Sequence, residues 1–333
     1  MKAVVCHAFG DPESLSVEDV ESRILAAGEL RIAVRRSSLN FFDVLMVQGL
    51  YQRKPPFPFV AGTDAAGEVI ETAQDVRTFK VGDRVMVFNW SGGAFAEEMV
   101  VSERNAFLLP SSVEFASAAA LKSTYGTALY ALTTRARLGR DETLLVLGAA
   151  GGVGQATLEV GRLLSSKVIA AVGSDAKRSL LMRLGTEQVI DYSSEKLRER
   201  VRELTGGKGA DVIIDPVGGE LFDQAVRAIA WGGRLCVLGF ASGQIPKLSV
   251  NQALLKSFDV VGVNYGGWVD NDFEAHRTQT QQLIHWCANG QIKPHVSATM
   301  GLAEVPLAMR QMLERSASGK IVFSPSKLSA NPN

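Results

Sequence analysis

The run Leu144-Leu145-Val146-Leu147-Gly148-Ala149-Ala150-Gly151-Gly152-Val153-Gly154 constrains the fold of this chain more than any other stretch. An apolar run enters a cluster of small residues, after which Ala156, Val160, Leu163 and Leu164 recur at helical spacing. The pattern reads as strand, tight turn and helix. Backbone N–H groups at the start of a helix can face a diphosphate, and the helix dipole favours its negative charge. Ala150, Gly151, Gly152, Val153 and Gly154 hold the phosphate-facing places, where a larger side chain would keep the phosphates away. The spacing is Ala149-x-Gly151-x-x-Gly154, with alanine at the first glycine place. Taken by itself, such a turn is equally an ordinary loop.

The flanking sequence favours the nucleotide reading. Strands are predicted at Thr143–Leu147, Lys167–Val172, Gln188–Ile190, Asp211–Ile214, Gly233–Leu238 and Asp259–Val263. Helical patterns at Val153–Leu164, Ala176–Leu184, Glu195–Leu204 and Gly219–Ala230 separate the first five, and a shorter one, Asn251–Ser257, precedes the sixth. Six strands with crossover helices predict an α/β fold with a doubly wound parallel sheet. The first third is β-rich, with strands at Lys2–Ala8, Glu29–Arg35, Ala66–Thr72, Arg84–Asn89 and Ala94–Val101. Asn40–Gln48 reads as a short helix with Asn40 at its N-cap, and proline-rich Tyr51–Pro58 as a loop. Helical patterning appears at Phe115–Leu121 and Thr127–Ala136, and again at Asn271–Asn289 and Glu304–Ser316. A strand at Lys320–Phe323 and a polar tail after Pro325 follow.

Composition narrows the function classes. With 333 residues the chain has room for two domains. Its 35 basic and 35 acidic residues leave no basic excess, which weighs against nucleic acid or a membrane surface as partner. No apolar stretch reads as a signal peptide or a membrane span. Three cysteines far apart (Cys6, Cys236 and Cys287) predict a reduced, cytoplasmic setting rather than a disulfide framework.

The end of the second strand selects the dinucleotide, since an acidic residue there would bind the ribose hydroxyls of NAD. Here the sequence is Val172-Gly173-Ser174-Asp175-Ala176-Lys177-Arg178. Gly173 and Ser174 leave space, and Lys177 and Arg178 supply positive charge for a 2′-phosphate. Asp175 is read as the cap of the next helix. Tyr192, ending the third strand, offers a hydroxyl to the same phosphate. The favoured cofactor is NADPH. The alternative makes Lys177 and Arg178 a solvated helix start.

Several stretches together carry a family resemblance. They are Asn40-Phe41-Phe42-Asp43, Gly49-Leu50-Tyr51, Gly62-Thr63-Asp64-Ala65-Ala66-Gly67-Glu68-Val69, Phe79-Lys80-Val81-Gly82-Asp83-Arg84-Val85, Ala149 to Gly154, and Ser318-Gly319-Lys320-Ile321-Val322. Through them the whole chain resembles the zinc-independent, zeta-crystallin-like quinone oxidoreductases of the medium-chain dehydrogenase/reductase superfamily. The resemblance implies a GroES-like β-rich catalytic domain at residues 1–123 and 266–333. Between its halves it implies a Rossmann NADPH-binding domain at 124–265, with the cofactor between the two domains. By family position Thr127 would contact the nicotinamide; its other reading is a helix cap. Val217, Gly239, Phe240, Val263 and Tyr265, at or just past strand ends, would line the cofactor site. Zinc-dependent members place a histidine and a glutamate where Thr63 and Asp64 stand, and no close-spaced pair occurs among His7, His276, His285 and His295, so no metal site is expected.

Hydride transfer to an electron-poor acceptor needs alignment, exclusion of water and a donor for the oxygen that gains charge. Asn40, Asp43 and Tyr51 are the catalytic candidates. Asn40 would orient the acceptor or the nicotinamide ribose, or cap its helix. Asp43 would brace the segment or relay a proton. Tyr51 would donate a hydrogen bond or proton, or anchor its loop. The expected partner is a small-molecule electron acceptor, a quinone or an activated alkene such as an enone or enoyl thioester. The resemblance also admits a non-enzymatic crystallin-like or RNA-binding role. Asp259–Val263, at a sheet edge, is the expected seam of a homodimer.

Overall fold

The structure is a computed structural model and describes residues 1–164 and 166–325; the polar tail after Pro325 lies outside the described residues. The chain divides into two compact units, Met1–Ser123 with Thr280–Asn333, and Thr124–Gln279. The second unit therefore runs past residue 265, where the sequence reading ended it.

The chain begins with β1 (Lys2–Cys6), β2 (Ser16–Asp19), β3 (Glu29–Ser38), α1 (Phe41–Val47) and β4 (Phe59–Val60). It continues through β5 (Asp64–Thr72), β6 (Arg84–Phe88), β7 (Glu98–Ser102) and β8 (Ala106–Leu108) into α2 (Phe115–Leu129). The alternation read at Glu29–Arg35 is the reason β3 forms: Leu30, Ile32 and Val34 are buried in the core of the first unit. Residues 94–97, expected as strand, bridge at Ala96 to Ala3 and bond Lys2, Val4, Ala61 and Gly62 through their backbone without forming a continuous strand, and β7 starts at Glu98. The two helices expected between 115 and 136 are one, with α2 continuing at Tyr130–Arg135 in a wider π-helical turn. Its run of small residues contains no proline to break it.

The second unit alternates β9 (Thr143–Leu147), α3 (Gly152–Leu163), β10 (Lys167–Val172), α4 (Asp175–Arg183), β11 (Gln188–Asp191) and α5 (Leu197–Leu204). Then come β12 (Ala210–Asp215), α6 (Glu220–Ala228), β13 (Ile229–Val237), α7 (Asn251–Lys256) and β14 (Asp259–Gly262). Among the described residues these strands form one six-stranded parallel sheet in the order β11-β10-β9-β12-β13-β14. That is the doubly wound order, with its switch between β9 and β12. Central β9 is buried along its whole length. β13 begins at Ile229, where helix was expected, and the pairing with β12 is irregular there. Two further helices, α8 (Tyr265–Asn271) and α9 (Phe273–Ala288), follow. The ring of Tyr130 stacks on Trp268 at 4.5 Å and meets Tyr265 at 6.1 Å, which attaches α8 to the second unit.

The last elements are β15 (Val296–Gly301), α10 (Val305–Leu313) and β16 (Lys320–Ser324). β16 pairs antiparallel with the end of β3, Val322 opposite Ser38 and Phe323 opposite Ser37, and β15 lies parallel to β16. Among the described residues the early and late strands thus share one seven-stranded sheet, ordered β15-β16-β3-β5-β6-β8 with β7 also on β3. Among the described residues no helix is long and apolar enough to cross a membrane.

Candidate active site

In the first unit the start of α1 is built on buried charge. Asn40 takes the N-cap position with extended backbone, and the Asp43 carboxylate accepts its amide at 2.8 Å. The Asn40 side chain is spent elsewhere: Nδ2 donates to Asp64 Oδ2 at 2.9 Å, and Oδ1 accepts from Lys320 Nζ at 2.7 Å. Thr63 Oγ1 donates to Asp43 Oδ1 at 2.9 Å, and Lys320 Nζ also reaches the Leu39 carbonyl at 2.6 Å. Asp43, Asp64, Lys122 and Lys320 are each at most 4% exposed. Burial, with the Asp64 charge beside it, pushes Asp43 up to about 7. Burial pulls Lys122 and Lys320 down to about 8, against the attraction of Asp64. Asp64 is raised by burial and pulled back by Lys320. Two lysines and two aspartates thus offset one another away from water, a balance that holds only while all are present.

Tyr51 belongs to a different group. Its ring stacks on Phe42 at 5.7 Å and on Trp90 at 6.1 Å, with planes 30° and 23° apart. Phe88 meets Trp90 edge-on at 4.6 Å, and the Arg53 guanidinium lies 4.5 Å from the Trp90 ring centre. Phe42, Tyr51 and Trp90 are partly exposed, so the cluster presents aromatic surface with a hydroxyl and a cation at its border. Burial raises the Tyr51 hydroxyl above its ordinary value, so it keeps its proton at neutral pH.

In the second unit the glycine-rich turn has the shape a diphosphate requires. The left-handed residue of the turn is Gly148, at φ +58°, so the alanine at 149 costs nothing. A Cβ on Gly154 would stand 2.5 Å from the Gly148 carbonyl oxygen, so only glycine lets α3 approach the turn so closely. Gly151 caps α3 without a side chain, which leaves the first-turn N–H groups of a twelve-residue helix open to an anion.

Ser174, rather than Asp175, caps α4, accepting from the Lys177 amide; Asp175 is the first helical residue. A Cβ on Gly173 would meet the Tyr192 hydroxyl at 2.9 Å, so Tyr192 lies across the end of β10 beside Ser174. Arg178 Nη1 donates to Glu195 Oε1 at 3.1 Å. At the ends of β12 and β13, Ala241 N donates to Pro216 O, Ser242 N to Val217 O, and Phe240 approaches Gly218. Val217 and Gly239–Phe240 are therefore neighbours. Val217 also lies against Gly148. Val263 leaves the end of β14 with its amide on Val237 O. The Tyr265 hydroxyl packs on Gly126, where a Cβ would be 2.2 Å away. Thr127 sits inside α2, so it is not the helix cap the sequence suggested.

Sequence reasoning missed Lys122, Trp90 and the role of Lys320. Lys122 had a signal, as the single charge interrupting the apolar run 116–132. Trp90 had none. Among the described residues no group of three or more His, Cys, Asp or Glu is placed to hold a metal ion. Thr63 and Asp64, at the two expected ligand places, are bonded to Asp43 and Asn40.

A parallel doubly wound unit with a glycine-rich turn, together with a β-rich unit made from two separate stretches of the chain, defines an oxidoreductase of the medium-chain dehydrogenase/reductase type. Residues 26–111 match the alcohol dehydrogenase GroES-like domain, and residues 152–286 the zinc-binding dehydrogenase family. The chain is 38% identical over 326 residues to quinone oxidoreductase-like protein 2 homolog of Nematostella vectensis, covering 97% of this chain and 88% of that one. It is 37% identical to the quinone oxidoreductase-like protein 2 of Mus musculus, covering 97% and 92%. The solved structure of Escherichia coli quinone oxidoreductase complexed with NADPH is similar, at a TM-score of 0.89 and 28% identity over 98% of this chain and all of that one. The chain belongs to the quinone oxidoreductase family of the medium-chain dehydrogenase/reductase superfamily.

Proposed function

We propose that this protein is an NADPH-dependent, zinc-independent reductase of quinones. The observation that carries the acceptor class is the partly exposed aromatic cluster of Phe42, Tyr51 and Trp90, bordered by Arg53. A planar, electron-poor ring gains stacking there, and the Tyr51 hydroxyl can donate to an oxygen that takes up charge. Bound NADPH supplies the hydride. The α3 turn at Ala150–Gly154 takes its diphosphate, with Ser174, Lys177, Arg178 and Tyr192 at its 2′-phosphate. Thr127, Val217, Gly239, Phe240, Val263 and Tyr265 take its nicotinamide half. Asn40 and Asp43 act here by holding α1, their polar atoms being engaged with Lys320, Asp64 and Thr63. Zinc independence is supported by the residue types, since Thr63 and Asp64 stand where zinc-dependent members place a histidine and a glutamate, and by the bonds of Thr63 Oγ1 to Asp43 and of Asp64 Oδ2 to Asn40.

Reduction of activated C=C bonds is the second reading, favoured by the position of Tyr51, whose hydroxyl borders the aromatic surface of Phe42 and Trp90 and can serve as a proton donor. Assaying quinones, enones and enoyl thioesters with NADPH and with NADH decides between them. Quinone turnover preferring NADPH is expected. Turnover of enoyl thioesters alone would reverse the acceptor reading, and a preference for NADH would remove the role given to Lys177 and Arg178. Three cysteines far apart in sequence, Cys6 and Cys236 of them buried, suit the cytoplasm. The exposed edge of β14 suits a homodimer.

A further inference from the structure

Glu195 lies in the loop between β11 and α5 and has no part in the reading above. Its Oε1 accepts from Arg178 Nη1 on α4 at 3.1 Å and from the Asp191 amide at 3.1 Å. Its Oε2 lies 2.9 Å from Arg200 Nε on α5, and its own amide donates to the Asp191 carbonyl at 2.8 Å. One carboxylate therefore joins α4, the end of β11 and α5. Its side chain is 22% exposed, and those of Arg178 and Arg200 are 37% and 32% exposed.

The charges around it are uneven. Arg200 faces Glu195 and also pairs with Glu203, so Glu195 has a counter-charge independent of Arg178. The Arg178 guanidinium has five N–H donors, and Glu195 takes one of them. Its other N–H donors stay available at the start of α4, where the Arg178 amide bonds the Ser174 carbonyl. An arginine braced in this way gives up less rotational freedom when it binds a phosphate. Across the end of β10, Tyr192 is fixed over Gly173 by the same turn, whose Asp191 carboxylate accepts from Ser193.

We infer that Glu195 is a positioning residue for dinucleotide choice: it orients Arg178 toward the 2′-phosphate of NADPH and so sets the preference for NADPH over NADH. This rests on the NADPH reading of the preceding section. The preference is set by geometry, since the charge of Glu195 by itself would repel the phosphate.

Calorimetric titration with 2′,5′-ADP and with 5′-AMP tests it, because the two ligands differ only in the 2′-phosphate. Wild type should prefer 2′,5′-ADP. Glu195→Ala should weaken 2′,5′-ADP about tenfold, the worth of one charge-assisted hydrogen bond, and leave 5′-AMP unchanged. Glu195→Gln keeps an acceptor oxygen and should lose less. In an Arg178→Ala background Glu195→Ala should have no further effect, since the two act as one unit. Unchanged 5′-AMP binding reports an intact fold; if Glu195→Ala loses it, the comparison of Glu195→Gln with wild type decides. Wild type that binds both ligands equally overturns the NADPH reading and this inference with it. Wild type that prefers 2′,5′-ADP, with Glu195 variants that keep or enlarge the preference, overturns this inference alone.

Discussion

Lys320 and Asn40 are 280 residues apart in sequence and joined by a 2.7 Å hydrogen bond, Nζ to Oδ1, inside the first unit. The bond connects β16 to the start of α1, from which Phe42 projects into the aromatic cluster. Replacing Lys320 with Met would leave Asp64 and Asp43 buried without this cation. Losing one partner of a buried charge set costs about 3–5 kcal/mol. Urea denaturation should show a loss of that size; a loss below about 1 kcal/mol, the value of a surface pair, would disprove the balance described here.

Asp43 gives this network a pH signature. Burial raises it to about 7, whereas an aspartate in the unfolded chain titrates near 4. Between those values the folded chain holds a proton that the unfolded chain has released. Asp43 therefore makes stability fall as pH rises from about 4 to about 7. Asp43→Asn removes that contribution, so variant minus wild-type stability should increase across the window. Denaturation midpoints that shift in parallel at all pH values would contradict the assignment.

Tyr51→Phe separates the two acceptor classes. Protonation of carbon is required only for alkene reduction, and loss of a general acid costs about 10²–10⁴-fold. Alkene turnover should fall by that order and quinone turnover only mildly. Equal losses on both would remove the distinction.

Trp90→Ala should act on the acceptor rather than on the cofactor. Stacking in such a cluster is worth about 1 kcal/mol, roughly fivefold in KM for a quinone. The KM for NADPH should stay constant. An unchanged quinone KM would exclude the cluster as the acceptor surface.

Val260 lies midway along β14, at the open edge of the six-stranded sheet, and is 46% exposed. Leu254 and Leu255 on neighbouring α7 are 78% and 69% exposed. Sedimentation at micromolar concentration should give a dimer for wild type and a monomer for Val260→Lys, which places a charge on the seam. A wild-type monomer would remove this edge as an interface.

The six-strand alternation and the glycine-rich turn before α3 were legible in the sequence because they rest on local signals. Apolar runs of strand length and helical spacing recur within windows of about a dozen residues. Even there, which residue takes the left-handed conformation was not legible: Gly148 does so, and it is Gly154 whose close approach to the turn leaves no room for a Cβ. The identity of the α4 cap, Ser174 instead of Asp175, was a one-residue question of the same kind. The continuous α2 depended on packing, since its apolar and small residues suit one helix as well as two.

What tertiary structure alone decided is mostly buried charge. Asn40, Asp43 and Tyr51 were candidates by their chemistry, and nothing local distinguished a side chain facing a ligand from one bonded within the fold. The pairing of β16 with β3 brings Lys320 to Asn40, whose side chain also bonds Asp64, while Asp43 bonds Thr63 and the Asn40 amide and Tyr51 stays in a partly exposed aromatic group. Hydrophobic periodicity is a property of neighbours in sequence; the partner of a buried charge is found only once distant strands have met.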